Sequence, residues 1–156
     1  MKLTGRIFFL IMMTYVLSSC DSKRLYEENK DIPEGKWAAK DKMDFEFSVP
    51  DTSTYYNVFI NVRNTSQYQF SNIYLFVTTT YPDGKTSKDT LDCTLQDESG
   101  KWMGKGVGDL WDNQLLFKPS VKFPQAGKYR IEYEQAMRVD PLPYITDAGL
   151  RVERVQ

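Results

Sequence analysis

The sequence predicts an all-β protein: an antiparallel β-sandwich, immunoglobulin-like or jelly-roll-like, of about seven to nine strands. Three observations carry this. From Met43 onward, apolar residues recur at every second position in one segment after another. Clusters of Pro, Gly, Asp and Asn separate those segments. No stretch sustains an apolar stripe at helical spacing. A closed barrel is the alternative arrangement of the same strands.

The first clear strand is KMDFEFSVP, where Met43, Phe45, Phe47 and Val49 share one face and Asp44, Glu46 and Ser48 the other. Pro50-Asp51 ends it. In YYNVFINVRN, Tyr56, Val58, Ile60 and Val62 face one way, and Tyr55, Asn57, Phe59, Asn61 and Arg63 the other. Two strands then flank Pro82-Asp83-Gly84, a turn in which proline presets φ and Asp-Gly tolerates positive φ. The first of them sets Ile73, Leu75 and Val77 against Tyr74 and Phe76, so it is expected in the middle of its sheet. Asp97 to Gly100 reads as a turn, Trp102 to Val107 as a short strand, and Asp109 to Asn113 as a helical turn or loop. Leu115 to Phe117 and Val121 to Phe123 are apolar again, before a turn at Pro124 to Gly127. Tyr129, Ile131, Tyr133 and Gln135 form one face of the next strand. A loop with Pro141 and Pro143 leads to the last strand, with Ala148, Leu150 and Val152 inward.

The N-terminus has a different character. Lys2 and Arg6 precede an apolar run from Ile7 to Leu17, too short for the ~20 residues of a membrane-spanning helix. Ser18, Ser19 and Cys20 follow. Positive, apolar, then small residues is the layout of a secretory signal peptide, and Leu17-Ser18-Ser19-Cys20 resembles a bacterial lipobox. The expected organisation is a signal peptide over 1–19, a lipidated Cys20 with a tether over 20–40, and a sandwich domain over 41–156. Acyl chains on Cys20 would hold the protein on a membrane, since each buried CH₂ contributes about 0.8 kcal/mol. Asp21 to Asp31 reads as a solvated tether, rich in charge and poor in residues worth burying. Ile32 and Trp37 are expected against the domain edge, and Pro33 and Gly35 oppose a helix there.

Composition narrows the chemistry. The 156 residues carry 20 basic and 21 acidic side chains, with no basic stripe interleaved with aromatics to attract nucleic acid. With Cys20 acylated, Cys93 has no partner for a disulfide and reads as a small buried strand residue. Histidine is absent, which removes Ser-His-Asp and Cys-His nucleophile systems and His-ligated zinc. No cofactor motif is present, and the alternation of Gly104, Gly106 and Gly108 fits no phosphate-binding loop.

Three sets of residues are candidates for a site. Tyr68, Phe70, Trp102 and Trp111, with Tyr55 and Tyr74, could make an aromatic platform for a sugar or peptide, against the plainer reading that they fill the core or cover its edges. Asp109, Asp112 and Asn113 offer oxygen ligands to calcium but lack the spacing of a calcium loop. Asp89, Asp92, Asp97, Glu98, Asp109 and Asp112 supply acids for a carboxylate-pair hydrolase, a chemistry that needs two of them facing one cleft.

Several blocks together resemble the GldH family of gliding-motility lipoproteins of the Bacteroidetes: YNVFINVRNTSQYQFSNIYLFV, YPDGKTSKDTL, KFPQAGKYRIEYEQAMR and ITDAGLRVER, with SSCDSKRLYEENKDIP at the start. The resemblance implies a lipoprotein of the cell envelope, with Cys20 as its lipidation site, and brings no catalytic residue with it. On that footing the chain is expected to be non-catalytic, anchored through Cys20 in the outer membrane, and to act by contacts with other gliding or envelope proteins. A carbohydrate-binding surface lipoprotein is the alternative.

Overall fold

The computed structural model describes residues 21–155; the signal-peptide segment and Cys20 lie outside the described residues. The strands are β1 (Arg24–Asp31), β2 (Lys36–Trp37), β3 (Met43–Val49), β4 (Tyr55–Thr65), β5 (Asn72–Thr80) and β6 (Thr86–Thr94). They continue with β7 (Lys105–Val107), β8 (Leu110–Lys122), β9 (Gly127–Gln135), β10 (Leu142–Pro143) and β11 (Ile145–Arg154). One sheet has the order β1-β11-β4-β8-β7, the other β3-β9-β5-β6, and β2 pairs with β10 beside them. Every pairing is antiparallel. Of the two sandwich types expected, the strand order decides for the jelly roll: the first and last long strands are neighbours, and each sheet draws alternately from both halves of the chain.

The alternating segments bury the faces that their patterns predict. Met43, Phe45, Phe47 and Val49 of β3, Tyr56, Val58, Ile60 and Val62 of β4, and Ile73, Leu75 and Val77 of β5 are all buried between the sheets. So are Tyr129, Ile131, Tyr133 and Gln135 of β9, and Ala148, Leu150 and Val152 of β11. β5 lies inside its sheet, between β9 and β6, but its second face is not covered: Tyr74 and Phe76 are exposed. The Pro82-Asp83-Gly84 turn forms, with the Gly84 amide donating to the Tyr81 carbonyl at 2.9 Å.

Three expectations need correction. Residues Asp21 to Asp31 are not a free tether. Arg24–Asp31 is an edge strand paired with β11 from Arg24↔Glu153 to Asp31↔Asp147, so the sandwich begins near residue 24 and not at 41. Its charges misled because an edge strand is held by backbone pairing and ion pairs, and charge on an edge blocks unwanted pairing. Arg151 bonds Glu27 at 2.9 Å and also reaches Asp21, while the Arg154 amide donates to the Lys23 carbonyl at 2.8 Å. Second, Leu110–Lys122 is one continuous strand that absorbs the helical turn or loop expected at Asp109 to Asn113 and the two short runs expected after it. Register shifts opposite Val58, with Pro119 and Ser120 (φ 45°), interrupt its alternation and hide its unity. Third, Ile32 and Trp37 are in the core and not at its edge. Trp37 is wholly buried, its indole donates to the Asp41 carbonyl at 2.8 Å, and its ring meets Tyr133 edge-on at 6.0 Å.

The jelly roll has two unlike ends. At the end where Arg24 enters, strands join through short connections, at residues 50–54, 81–85 and 123–126. At the opposite end lie the longer connections, 32–42, 66–71, 95–109 and 136–144. The 11 residues of β4 separate the two ends by roughly 35 Å.

Candidate functional site

The end remote from Arg24 collects the aromatic candidates. Tyr68 sits on the connection after β4, fixed by its amide donating to the Thr65 carbonyl at 3.1 Å and its hydroxyl donating to the Asn72 carbonyl at 3.0 Å. Its ring is buried, and burial raises its phenol above the ordinary value. Phe70 meets that ring edge-on at 5.5 Å. Trp102 lies 6.5 Å from Tyr68 and stacks on Trp111 at 6.1 Å. The four residues Tyr68, Phe70, Trp102 and Trp111 are therefore one contiguous stack. With Tyr68 buried and the other three half-buried, it is a packed support and not an open platform. The Trp111 indole N–H is buried with no partner among the described residues.

This stack carries an exposed apolar tip. β7 and β8 form a hairpin closed by Gly108 and Asp109, with Gly108 at φ 60° taking the positive-φ corner such a turn requires. The Ser66 amide donates to the Asp109 carbonyl at 2.8 Å and ties the hairpin to the loop bearing Tyr68. Val107 is 72% exposed, Met103 64% and Leu110 36%. Sequence reasoning missed these three. The available signal was Val107-Gly108-Asp109-Leu110 itself, two apolar residues flanking a two-residue turn.

The remaining aromatic candidates lie elsewhere. Tyr55 is at the opposite end, with the Lys122 ammonium 4.6 Å above its ring. Tyr74 faces outward from β5 beside Phe76.

A groove of about 560 Å³ opens on the outer face of the five-stranded sheet, lined among others by Asn29, Asn61, Arg63, Asp112, Gln114 and Asp147. Arg63 bonds Asp112 and lies 3.5 Å from Asp147, and its hydrogen bond to Asp112 raises its affinity for the proton. Across the same face Arg151 joins Glu27, Glu153 and Asp21. Burial opposes the Arg151 charge, but the bonds to Asp21 and Glu153 outweigh it and hold the guanidinium firmly protonated. The acids on this face are thus paired with guanidinium groups.

The other acids of the sequence reading do not converge. Asp89 and Asp92 point to opposite faces of β6; Lys118 bonds the first at 3.0 Å and Asn72 the second at 2.6 Å. Asp97 caps its own turn, and its bond from the Ser99 hydroxyl lowers its pKa. The calcium candidates also separate. Asp109 is exposed in the hairpin turn and Asp112 faces Arg63, while Asn113 points inward and donates to the Val62 carbonyl at 3.0 Å and the Asn64 side-chain oxygen at 2.9 Å. No cluster of three metal-ligating His, Cys, Asp or Glu occurs among the described residues. Cys93 is buried on β6, and burial, then Asp92, pushes its thiol up to about 11.

The strand order places the chain in the class of antiparallel jelly-roll β-sandwiches. A family model described as "GldH lipoprotein" matches residues 24–152, and the chain belongs to that family. It is 36% identical over 161 residues to a "Gliding motility lipoprotein GldH homolog" of Christiangramia forsetii, covering 99% of this chain and 98% of that one. It is 35% identical over 152 residues to "Gliding motility lipoprotein GldH" of Flavobacterium johnsoniae, covering 93% and 94%. Among solved structures, a family GH115 glucuronidase matches with TM-score 0.44 at 10% identity, covering 88% of this chain and 18% of the enzyme. A cellulose-specific CBM28 module matches with TM-score 0.43 at 10% identity, covering 83% and 72%. Neither likeness carries an argument for this chain.

Proposed function

We propose that this member of the gliding-motility lipoproteins is non-catalytic, is anchored by acyl chains on Cys20, and works by contacts made at the end remote from its anchor. The observation that carries the reading is the exposed apolar tip of Val107 and Leu110, on a hairpin that packs through Trp111 on the Tyr68–Trp102 stack, with Met103 exposed on the segment before it. Apolar residues left exposed cost solvation free energy unless a partner covers them. The other end suits an anchor. Asp21 is bonded to Arg151 and β1 starts at Arg24, so three residues, four Cα-to-Cα steps, separate Cys20 from the sheet. That chain spans no more than about 14 Å, which holds the body close to the bilayer. The membrane in this reading is the outer membrane, and the partners are other envelope proteins of the gliding machinery.

Two experiments test it. Wild-type protein takes up a palmitate analogue and fractionates with membranes, and Cys20→Ser does neither; a labelled Cys20→Ser protein contradicts the anchor. Detergent extracts of wild-type cells yield specific envelope proteins with this chain, and Met103→Ser/Val107→Ser/Leu110→Ser loses them while melting at the same temperature. Retention of the same proteins by the triple variant contradicts the contact site.

A second reading rests on the groove. Its planar amides and paired acids at Asn29, Asn61, Asp112 and Gln114 suit a hydroxylated ligand such as a glycan. Glycan-array binding lost in Asn61→Ala, and kept in Val107→Ser/Leu110→Ser, which leaves the groove-lining Met103 in place, would favour it over the first.

A further inference from the structure

The sandwich exposes four sheet edges, and three of them are protected. β1 and β3 close against each other: the Lys30 ammonium bonds the Asp44 carbonyl, and the Tyr26 ring lies 5.7 Å from Phe47. β7 is three residues long, and beyond it β8 is disrupted by two register shifts, Pro119 and the positive φ of Ser120. Short, bulged or covered strands are the usual guards against edge-to-edge pairing. β6 has none of these, and its only guards are charges, Lys88 outward and Asp89 inward. Its nine residues pair one for one with β5, from Thr94↔Asn72 to Thr86↔Thr80, without a shift, a proline or a glycine. Among the described residues it pairs with β5 alone. Of its inward side chains, Ser87, Asp89 and Leu91 are half-buried and Cys93 is buried, whereas the inward residues of the β3 edge are all buried.

The outer face of this strand is self-complementary. Its exposed residues read Thr86, Lys88, Thr90, Asp92, Thr94. Two antiparallel copies centred on Thr90 set Lys88 of each opposite Asp92 of the other, Thr86 opposite Thr94, and Thr90 opposite itself. Opposite charges and Thr–Thr pairs directly across strands are both stabilising arrangements. Lys88 takes part in no ion pair among the described residues, so the contact breaks no existing one. Asp92 also accepts from Asn72, which orients it on the outer face. On the inner face Asp89 meets the second copy already neutralised by Lys118 at 3.0 Å.

We infer that the β6 edge binds a second copy of this chain, antiparallel and in the Thr90-centred register, joining two four-stranded sheets into one of eight. The contact is separate from the hairpin at the remote end; because antiparallel pairing reverses the second copy, two copies held by Cys20 in one membrane pair with β6 lying along the bilayer surface.

The test uses the full-length protein in its own membranes. Thr90→Cys places one thiol on the two-fold axis, where facing Cα atoms of an antiparallel pair are about 4.5–5.5 Å apart, within disulfide reach. Oxidation is expected to give a dimer on a non-reducing gel, while Ser48→Cys on the β3 edge stays monomeric. Adding Lys88→Asp to Thr90→Cys lowers the cross-link yield about ten-fold or more, because two attractive pairs become repulsive. Adding Asp92→Lys to that variant restores the yield. Matching thermal melts exclude misfolding. A Thr90→Cys yield no higher than that of Ser48→Cys, a cross-link to a different protein, or failure of the charge swap to restore the dimer would each overturn the inference.

Discussion

The two ends of the jelly roll differ in the length of their connections and in what they leave exposed. At the end where the chain enters from Cys20, connections are short and polar groups hold them: Arg151 gathers Asp21, Glu27 and Glu153, and Asp51 bonds the Ser53 and Thr54 amides at 2.9 Å. At the far end, connections are long, the Tyr68–Trp102–Trp111 stack lies beside the Arg63–Asp112–Asp147 ion pairs, and Val107 remains outside. Long connections on a rigid scaffold are where binding residues concentrate.

Substitutions separate these roles, and the largest effect is expected beneath the far end. Trp37→Ala removes a fully buried indole under the long connections and should cost about 3–5 kcal/mol, read as a lower midpoint in urea with an unchanged slope. A loss below about 1 kcal/mol would mean that the far end is not anchored in the core. Gly149→Ala strikes the docking of β1. A Cβ there would crowd the Asn29 side chain and sit 2.6 Å from the Glu28 carbonyl oxygen, and parting the strands should cost about 1–3 kcal/mol. Faster amide exchange confined to β1 and β11 would place the damage at the end where Arg24 enters the sheet.

Val107→Ser should move stability by less than about 0.5 kcal/mol, because an exposed side chain leaves no cavity behind. A larger loss would make the hairpin tip part of the fold and not a contact surface. The smallest effect concerns the entry end. Hydrogen bonds from Ser53 and Thr54 lower the Asp51 carboxyl to about 2. A depressed folded pKa means that its stabilisation is complete above the unfolded value near 3.9 and is lost as pH falls toward about 2. The Ser53 and Thr54 amide resonances should shift together through that window, and their shifting near pH 4 would contradict the capping geometry.

Much of this was legible from residue order. The faces of β3, β4, β5, β9 and β11 follow directly from alternation, because each is buried on one side and a slip of one residue would turn every apolar side chain out. β1 was not legible, since it is held by pairing and by Arg151, both far away in sequence. β8 was not, since its bulge breaks the period on which alternation depends. At the candidate site, Tyr68, Phe70, Trp102 and Trp111 could be named but not joined. Aromatic content marks packing without saying which loops meet. The exposure of Met103, Val107 and Leu110 depends on how the hairpin projects, which only the fold determines.

The most direct test compares the two ends in living cells. A photo-cross-linking amino acid is placed at Val107 on the far hairpin or at Ser120 near the entry end, and the envelope is irradiated before extraction. Discrete adducts to envelope proteins at position 107, and none at 120, are the predicted result. Adducts at 120 alone, or the same adducts at both positions, would contradict a contact surface at the end remote from the anchor.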